Sequence, residues 1–255
     1  MSLQAAVWSA EELVVVDLVN QQRSYFGLDP VYMNDDLHTS AQRQSQSMAD
    51  YNYFDHVTLA GPYTGEKPGE RIRDSGYDVN SWGENIAAGQ GANSGIQAGY
   101  LDAAHEVMYG TDNFAEINSY FTSNFNVSAT DWGDLGEGIT TENWNDWYGV
   151  VGSGWMGSEG HRNNILNGGF THLGVGYVWD ESDANISAEN FIMTNPDIWP
   201  DGEFPYPLYS YWTQHFASGE LVAEPAPVPL PAVVWLMGSG LIGMMWVGRK
   251  PLKEA

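Results

Sequence analysis

A chain of 255 residues with 33 acidic side chains against nine basic ones carries a formal charge of −24, and such a surface repels phosphate backbones and argues against nucleic-acid binding. Hydrophobic residues make up 43% of it, with 11 Trp and 14 Tyr, enough to pack the core of one large domain plus a tail, or of two small domains. The absence of cysteine excludes disulfides, thiol nucleophiles and Cys-ligated zinc, and the acidity reads as solubility or life in a salty medium.

Met1 to Val7 has neither the positive charge nor the apolar run of a secretory leader. A fold-forming helix is expected to follow at once, because Ser9 and Glu12 make a capping box ahead of Leu13 to Val16, Leu18 and Val19, and it should end near Gly27. A second helix is expected from Asn34 or Asp35 to about Tyr51, with Leu37, Ala41, Ser45 and Met48 on one face of small residues. Tyr53 to Pro68 holds Gly61, Pro62, Gly65 and Pro68 and should be irregular. His56 stands at its entrance. A short helix from Glu70 to Ser75 is expected to stop at Gly76.

Gly83-Glu84-Asn85-Ile86-Ala87-Ala88 comes next, then a Gly-rich loop, then a helix marked by Ile96, Tyr100, Ala104 and Val107 that ends at Gly110. Thr111 to Thr141 reads as an insertion. Within it Asp131, Gly136 and Glu142 have calcium-loop spacing, but Gly133 and Leu135 stand where oxygen ligands are required, which excludes an EF-hand. Trp144, Trp147, Tyr148, Val151 and Trp155 form a helical stripe predicting a core-facing helix from about Glu142 to Gly157, with His161 just after its end. Leu173, Val175, Tyr177 and Trp179 alternate as a strand; Phe191 to Thr194 and Tyr209 to Phe216 are expected to be two more, paired antiparallel. Helices first and strands last predict an α+β fold.

His56, Glu84 and His161 supply two imidazoles and a carboxylate, the material of a metal site or an acid–base pair. Arg162 is expected to pair with a carboxylate or carbonyl. His38 and His105 are expected to face solvent from helices, and His172 and His215 to be structural residues on or beside strands. Ser158 near His161 invites a serine-hydrolase reading, but no Gly-x-Ser-x-Gly elbow surrounds it, and no His-Glu-x-x-His element supports a zinc hydrolase.

Five segments occur in order: Val19-Asn-Gln-Gln-Arg23 with Gly27-Leu28; Phe54-Asp-His56; Gly83-Glu-Asn-Ile86; Trp155-Met-Gly-Ser-Glu-Gly-His-Arg-Asn-Asn-Ile-Leu166; and Phe170-Thr-His-Leu-Gly-Val-Gly176. Together they resemble the CAP superfamily of cysteine-rich secretory proteins, venom allergens (antigen 5) and plant pathogenesis-related proteins, in its bacterial cysteine-free branch, over Ser9 to Ala217. The resemblance implies an α-β-α sandwich with a small antiparallel sheet and a cleft that usually holds two histidines and two glutamates. His56, Glu84 and His161 match three of those positions as cleft or catalytic residues. The second glutamate normally stands three residues after the helix Trp, where this chain has Ser158, with Glu159 one place later; the bacterial branch often has serine there. His56 and His161 could ligate zinc, with Glu84 as a third ligand or as the group that orients a histidine. The resemblance favours a binding module for a lipid, a sterol-like molecule or a glycan; a metal-dependent hydrolase or protease and a structural component of an extracellular matrix are the alternatives.

The domain is expected over residues 9–219, with a Pro-rich linker over 220–231 and a hydrophobic helix with a basic tail over 232–255. Ala232 to Gly248 is uncharged and mostly apolar, near the lower length limit for a bilayer span, and Arg249-Lys250 follows it. Val228-Pro-Leu-Pro-Ala232, Gly238-Ser-Gly240 and the basic pair resemble a PEP-CTERM sorting signal of the VPLPA type. That resemblance implies export to the cell envelope or exterior of a Gram-negative bacterium, an exosortase-type partner, and a transient or lasting membrane anchor through residues 232–248.

Overall fold

The computed structural model describes residues 7–89, 102–110, 154–185, 192–193 and 208–219, with a few positions between 113 and 123. The chain divides into two units, Met1–Glu220 and Leu221–Ala255; the linker, apolar helix and sorting motif expected in the second lie outside the described residues, as does most of the 111–141 insertion. No helix among the described residues is long and apolar enough to cross a membrane.

Helix α1 (Ala10–Tyr25) starts at the expected capping box, Ser9 N–H donating to Glu12 Oε2 at 2.7 Å and Glu12 N–H to Ser9 Oγ at 3.2 Å. Strand β1 (Tyr32–Met33) leads into α2 (Asp35–Tyr51), whose first turn is satisfied by the Asn34 side chain accepting from Asp36 and Leu37 N–H. After β2 (Tyr53–Phe54), α3 (Pro68–Asp74) begins two residues before Glu70 because proline suits the first helical position and Glu70 reaches back to Lys67 N–H. Gly76, at φ +107°, ends that turn.

The Gly83-to-Ala88 segment, given no element from sequence, is the second half of strand β3 (Val79–Ala88). Its last six residues are buried on both faces, so the alternation that betrays a half-exposed strand is missing. Helix α4 (Asp102–Tyr109), helix α5 (Glu159–Ile165), strand β4 (His172–Trp179), a 3₁₀ turn (Glu181–Asn185), strand β5 (Ile192–Met193) and strand β6 (Ser210–Gly219) complete the described elements.

The main sheet runs β1-β4-β6-β3. Its β4–β6 and β6–β3 pairings are antiparallel as expected, but β1 joins β4 in parallel, which makes the sheet mixed. The strand expected over Phe191 to Thr194 does not join it; β5 pairs in parallel with β2 in a separate two-stranded sheet. Both surprises involve two-residue strands, too short to show a period. Helices cover both faces. Ile86, Ala88, Val178 and Tyr211 pack with Met48 and Ala49 of α2, whereas Ala87, Trp212 and Phe216 pack with Val15 and Val19 of α1, Met108 of α4 and Ile165 of α5.

The stripe helix expected to end at Gly157 is corrected at its C-terminal end. Trp155 to Gly157 form a turn, in which Trp155 and Met156 N–H donate to Val107 and Met108 O at 2.8 Å each. Trp155 is buried in the core as predicted; Trp144, Trp147, Tyr148 and Val151 lie outside the described residues. His161 is therefore inside a new helix, α5, rather than past the end of an old one.

Two close approaches fix the layers. Arg23, buried at the end of α1, donates to Ile165, Asn167 and Phe170 O at 2.8, 2.9 and 3.2 Å and to Asp29 O at 2.8 Å, tying α1 to the turn that follows α5. On the other face α2 lies directly on β4, where a side-chain carbon on Gly174 or Gly176 would overlap the backbone of Leu37 or Ala41. Ser45 Oγ completes the contact, reaching Gly176 O at 3.0 Å and Thr213 Oγ1 at 2.9 Å. Gly176→Ala is expected to lower stability by about 2 kcal/mol or more, whereas Gly160→Ala, which meets no neighbour, should be neutral or stabilising by up to about 1 kcal/mol; urea unfolding of the two variants checks the contrast.

Candidate ligand cleft

The candidate site is built around one buried carboxylate. The β3–β6 register sets Glu84 opposite His215, on the sheet face that carries α2. His215 Nε2 lies 2.6 Å from Glu84 Oε2, and Arg71 Nη2, from α3, donates to the same oxygen at 2.9 Å. The other oxygen, Oε1, lies 2.7 Å from His56 Nδ1. Arg71 also holds the loop that carries His56, donating to His56 O and Thr58 Oγ1 at 2.9 Å each. Thr58 Oγ1 and Tyr53 Oη both donate to Gln44 Oε1 at 3.3 Å, which roots the loop in α2.

Electrostatics follow from this geometry. Burial alone would raise the Glu84 carboxyl, but hydrogen bonds from His215 and His56 and the charges of His215 and Arg71 hold it well below the ordinary carboxylate range. Its side chain is 1% exposed, and so it is an ionised group that needs its partners; removing one partner of such a pair costs about 3–5 kcal/mol. Burial pushes His215 down against the pull of Glu84, and its Nε2–H donates to the Glu84 carboxylate. For His56, burial pulls downward, but the Glu84 hydrogen bond and the charges of Glu84 and Asp55 prevail, and its pKa is raised. An ionised carboxylate can only accept, so the His56 proton sits on Nδ1. With 52% of the side chain exposed, Nε2 is the free nitrogen.

His161 comes from the opposite side of the edge strand. Asn85 Nδ2 donates to His161 O at 3.1 Å, while Asn164 Nδ2 donates to Asn85 Oδ1 at 2.8 Å and to Glu84 O at 3.2 Å. This stitch needs Gly83, where a side-chain carbon would lie 2.6 Å from Asn164 Oδ1. Burial, then the charge on nearby His56, push His161 down to about 4. Its Nδ1 is buried without a hydrogen-bond partner among the described residues.

The structure thus brings His56, Glu84 and His161 together. Ser158 precedes α5 as its N-cap residue and makes no side-chain capping bond; Glu159 is exposed in the first turn, and neither joins the hydrogen-bonded cluster. Arg162 donates to Met156 O at 3.1 Å, a carbonyl as expected. His172 is structural, its Nδ1 2.8 Å from Tyr77 Oη. Three expectations about histidines need correction. His38 does not face solvent: it is buried beside α1, with Nε2 3.1 Å from Glu12 Oε2 and its ring 4.3 Å from Trp8. His105 is half-buried on α4. His215 is part of the cleft machinery, and the signal for it was the run Thr213-Gln214-His215, three polar residues inside an apolar strand and all fully buried.

A family model of the cysteine-rich secretory protein family, CAP, matches residues 16–194. The chain belongs to the CAP family. It is 32% identical over 170 residues to the Bacillus subtilis protein YkwD, a match covering 67% of this chain and 43% of that protein, so the CAP chain described here spans less than half of that relative's length. Among solved structures, an extracellular protein containing an SCP domain from Bacillus anthracis is 21% identical with a TM-score of 0.41, covering 84% of this chain and 45% of that one. An outer surface protein of Borrelia burgdorferi is 11% identical with a TM-score of 0.45, covering 85% and 98%.

The donor set of this CAP cleft can be set against the zinc ion anticipated for it. Among the described residues no group of three or more His, Cys, Asp or Glu is arranged to hold a metal ion. His56 has the pattern of a metal-ligating histidine, its second nitrogen on a carboxylate. His161 lacks that partner, and both Glu84 oxygens are occupied by His56, His215 and Arg71. The arrangement fits a single-imidazole contact, not a resident metal held by all three residues.

A pH dependence follows. The unfolded chain binds a proton at His161 as pH falls through 6.5, the folded chain only near 4, so this residue's contribution is intact above 6.5 and lost between 6.5 and 4. Urea midpoints at pH 7.5 and 4.5 should therefore fall less in His161→Gln than in the wild type; equal falls would mean that His161 titrates normally.

Proposed function

We propose that this CAP domain is exported and acts outside the cytoplasm as a binding module, engaging its ligand through His56 and His161. The observation that carries this reading is the buried Glu84, saturated by three donors so that one half-exposed imidazole stands at the mouth of the cleft in a fixed orientation. A fold that needed only a stable core would gain nothing from burying such a charge there, because well-packed apolar residues of similar volume do as well or better. Export is supported by the secretory family to which the chain belongs and by the resemblance of Val228 to Ala232 and the following segment to a sorting signal, with an exosortase-type enzyme as partner and residues 232–248 as anchor.

A hydrolytic reading has one observation in its favour: the Glu84–His56 pair is the arrangement of an oriented general base. No nucleophile joins that pair among the described residues. Zinc would enter through His56, and a matrix role rests only on the tail.

Calorimetry of the wild-type chain against phosphatidylcholine vesicles, cholesterol-containing vesicles, soluble oligosaccharides and Zn²⁺, with casein and p-nitrophenyl acetate turnover on the same samples, tests the proposal. One organic ligand should bind saturably, and His56→Ala should weaken it about tenfold with no turnover. Turnover lost in Glu84→Gln would replace binding with hydrolysis, and 1:1 zinc binding lost in both His56→Ala and His161→Ala would restore a metal site.

A further inference from the structure

We propose that the fold activates its own Asn167-Gly168 peptide unit, so that Asn167 loses its side-chain amide in the native protein and the main chain is rerouted there through isoaspartate. This modification site is independent of what the cleft binds.

Asn167-Gly168 is the one Asn-Gly pair in the sequence, and it lies exposed in the turn after α5 with Gly169 exposed beside it. The reaction begins when the main-chain nitrogen of Gly168 attacks Cγ of Asn167. The nucleophile is open, because Gly168 N–H donates to no acceptor among the described residues and glycine lays no side chain over it. It is also acidified. The oxygen of the same peptide unit, Asn167 O, accepts from Arg23 Nη1 at 2.9 Å and from Phe170 N–H at 3.2 Å. A cation bonded to an amide oxygen stabilises the negative charge left when the amide nitrogen gives up its proton. The electrophile is polarised as well. Asn167 Oδ1 accepts from Gly169 N–H at 2.9 Å, so a donor already stands where negative charge develops as Cγ becomes tetrahedral.

The chemistry balances with water as the only co-reactant. Solvent hydroxide takes the Gly168 N–H proton, the N–Cγ bond forms, the Cγ–Nδ2 bond breaks, and ammonia leaves a cyclic succinimide. Water then opens the ring at one of its two carbonyls. Attack at Cγ gives aspartate. Attack at the former main-chain carbonyl of Asn167 frees that carbon as a carboxylate and carries the chain on through Cβ and Cγ, which is isoaspartate. Arg23 selects the second route, because it is bonded to the main-chain oxygen and stabilises the charge that the attack places there. Its other described hydrogen bonds end on the uncharged carbonyls of Asp29, Ile165 and Phe170, and the new carboxylate gives this buried guanidinium an anionic partner. The change falls on the turn through which α1 holds the end of α5, the helix that carries His161.

The test incubates the full chain at pH 8 beside a synthetic peptide of residues 163–173, which supplies the unstructured rate in the same buffer. Peptide mapping with electron-transfer fragmentation locates the deamidated residue and separates isoaspartate from aspartate. In the folded protein Asn167 should convert about tenfold faster than in the peptide, the worth of one hydrogen bond at the developing charge, and with a larger share of isoaspartate. Conversion no faster than the peptide's would overturn the proposal, as would an isoaspartate share no larger than the peptide's. Arg23→Gln, with its fold checked by circular dichroism, should bring both rate and share back towards the peptide's values; an intact fold with both unchanged would overturn the role given to Arg23. If that variant does not fold, the comparison of wild-type chain with peptide decides alone.

Discussion

An ionised glutamate enclosed by protein sets the terms for everything around the cleft. Glu84 stands on an edge strand with its side chain turned inward under α2, where a bare charge would cost several kcal/mol. Three elements supply its compensation: Arg71 from α3, His215 from β6 and His56 from the loop between β2 and α3. Two of those donors are themselves held in place. Arg71 binds the His56 carbonyl and Thr58, and His215 is fixed by its place in the central strand. The charge thus acts as a fastening point, and His56 is the one member of the set left half-exposed.

The layers around this cluster are drawn in to the limit that backbone allows. Gly174 and Gly176 let α2 lie on β4, and Gly83 lets Asn164 reach across to the edge strand. Arg23 binds the end of α5 and the turn after it through three carbonyl contacts. As a result the two halves of the cleft, one hung from α2 and α3 and the other from α5, are referred to the same sheet. Their geometry does not depend on a single flexible loop. That is the condition for two imidazoles held in fixed positions.

Much of this was legible in sequence, and the parts that were not share a cause. The capping box at Ser9 and Glu12, the Asn34 cap and the alternation of β4 are local signals, and the elements start where those signals place them. The grouping of His56, Glu84 and His161 came from motif order rather than from local pattern. What could not be read was pairing. His215 shows its role only once β6 is set against β3, since nothing along the chain says which residue faces Glu84. His38 is a similar case, because its partner Glu12 sits on another helix. Strand β3 escaped notice because burial on both faces erases its period, and β1, β2 and β5 because two residues carry none.

The central claim is that Glu84 stays ionised inside the fold and thereby fixes His56. The most direct measurement is the ¹³Cδ chemical shift of Glu84, followed from pH 7 downward until the protein unfolds. The account predicts no titration step in the folded state, with the carboxylate signal persisting until unfolding itself supplies protons to the chain. A step near its ordinary value of 4.5, with the fold intact, would show an accessible, ordinary carboxyl and would contradict it.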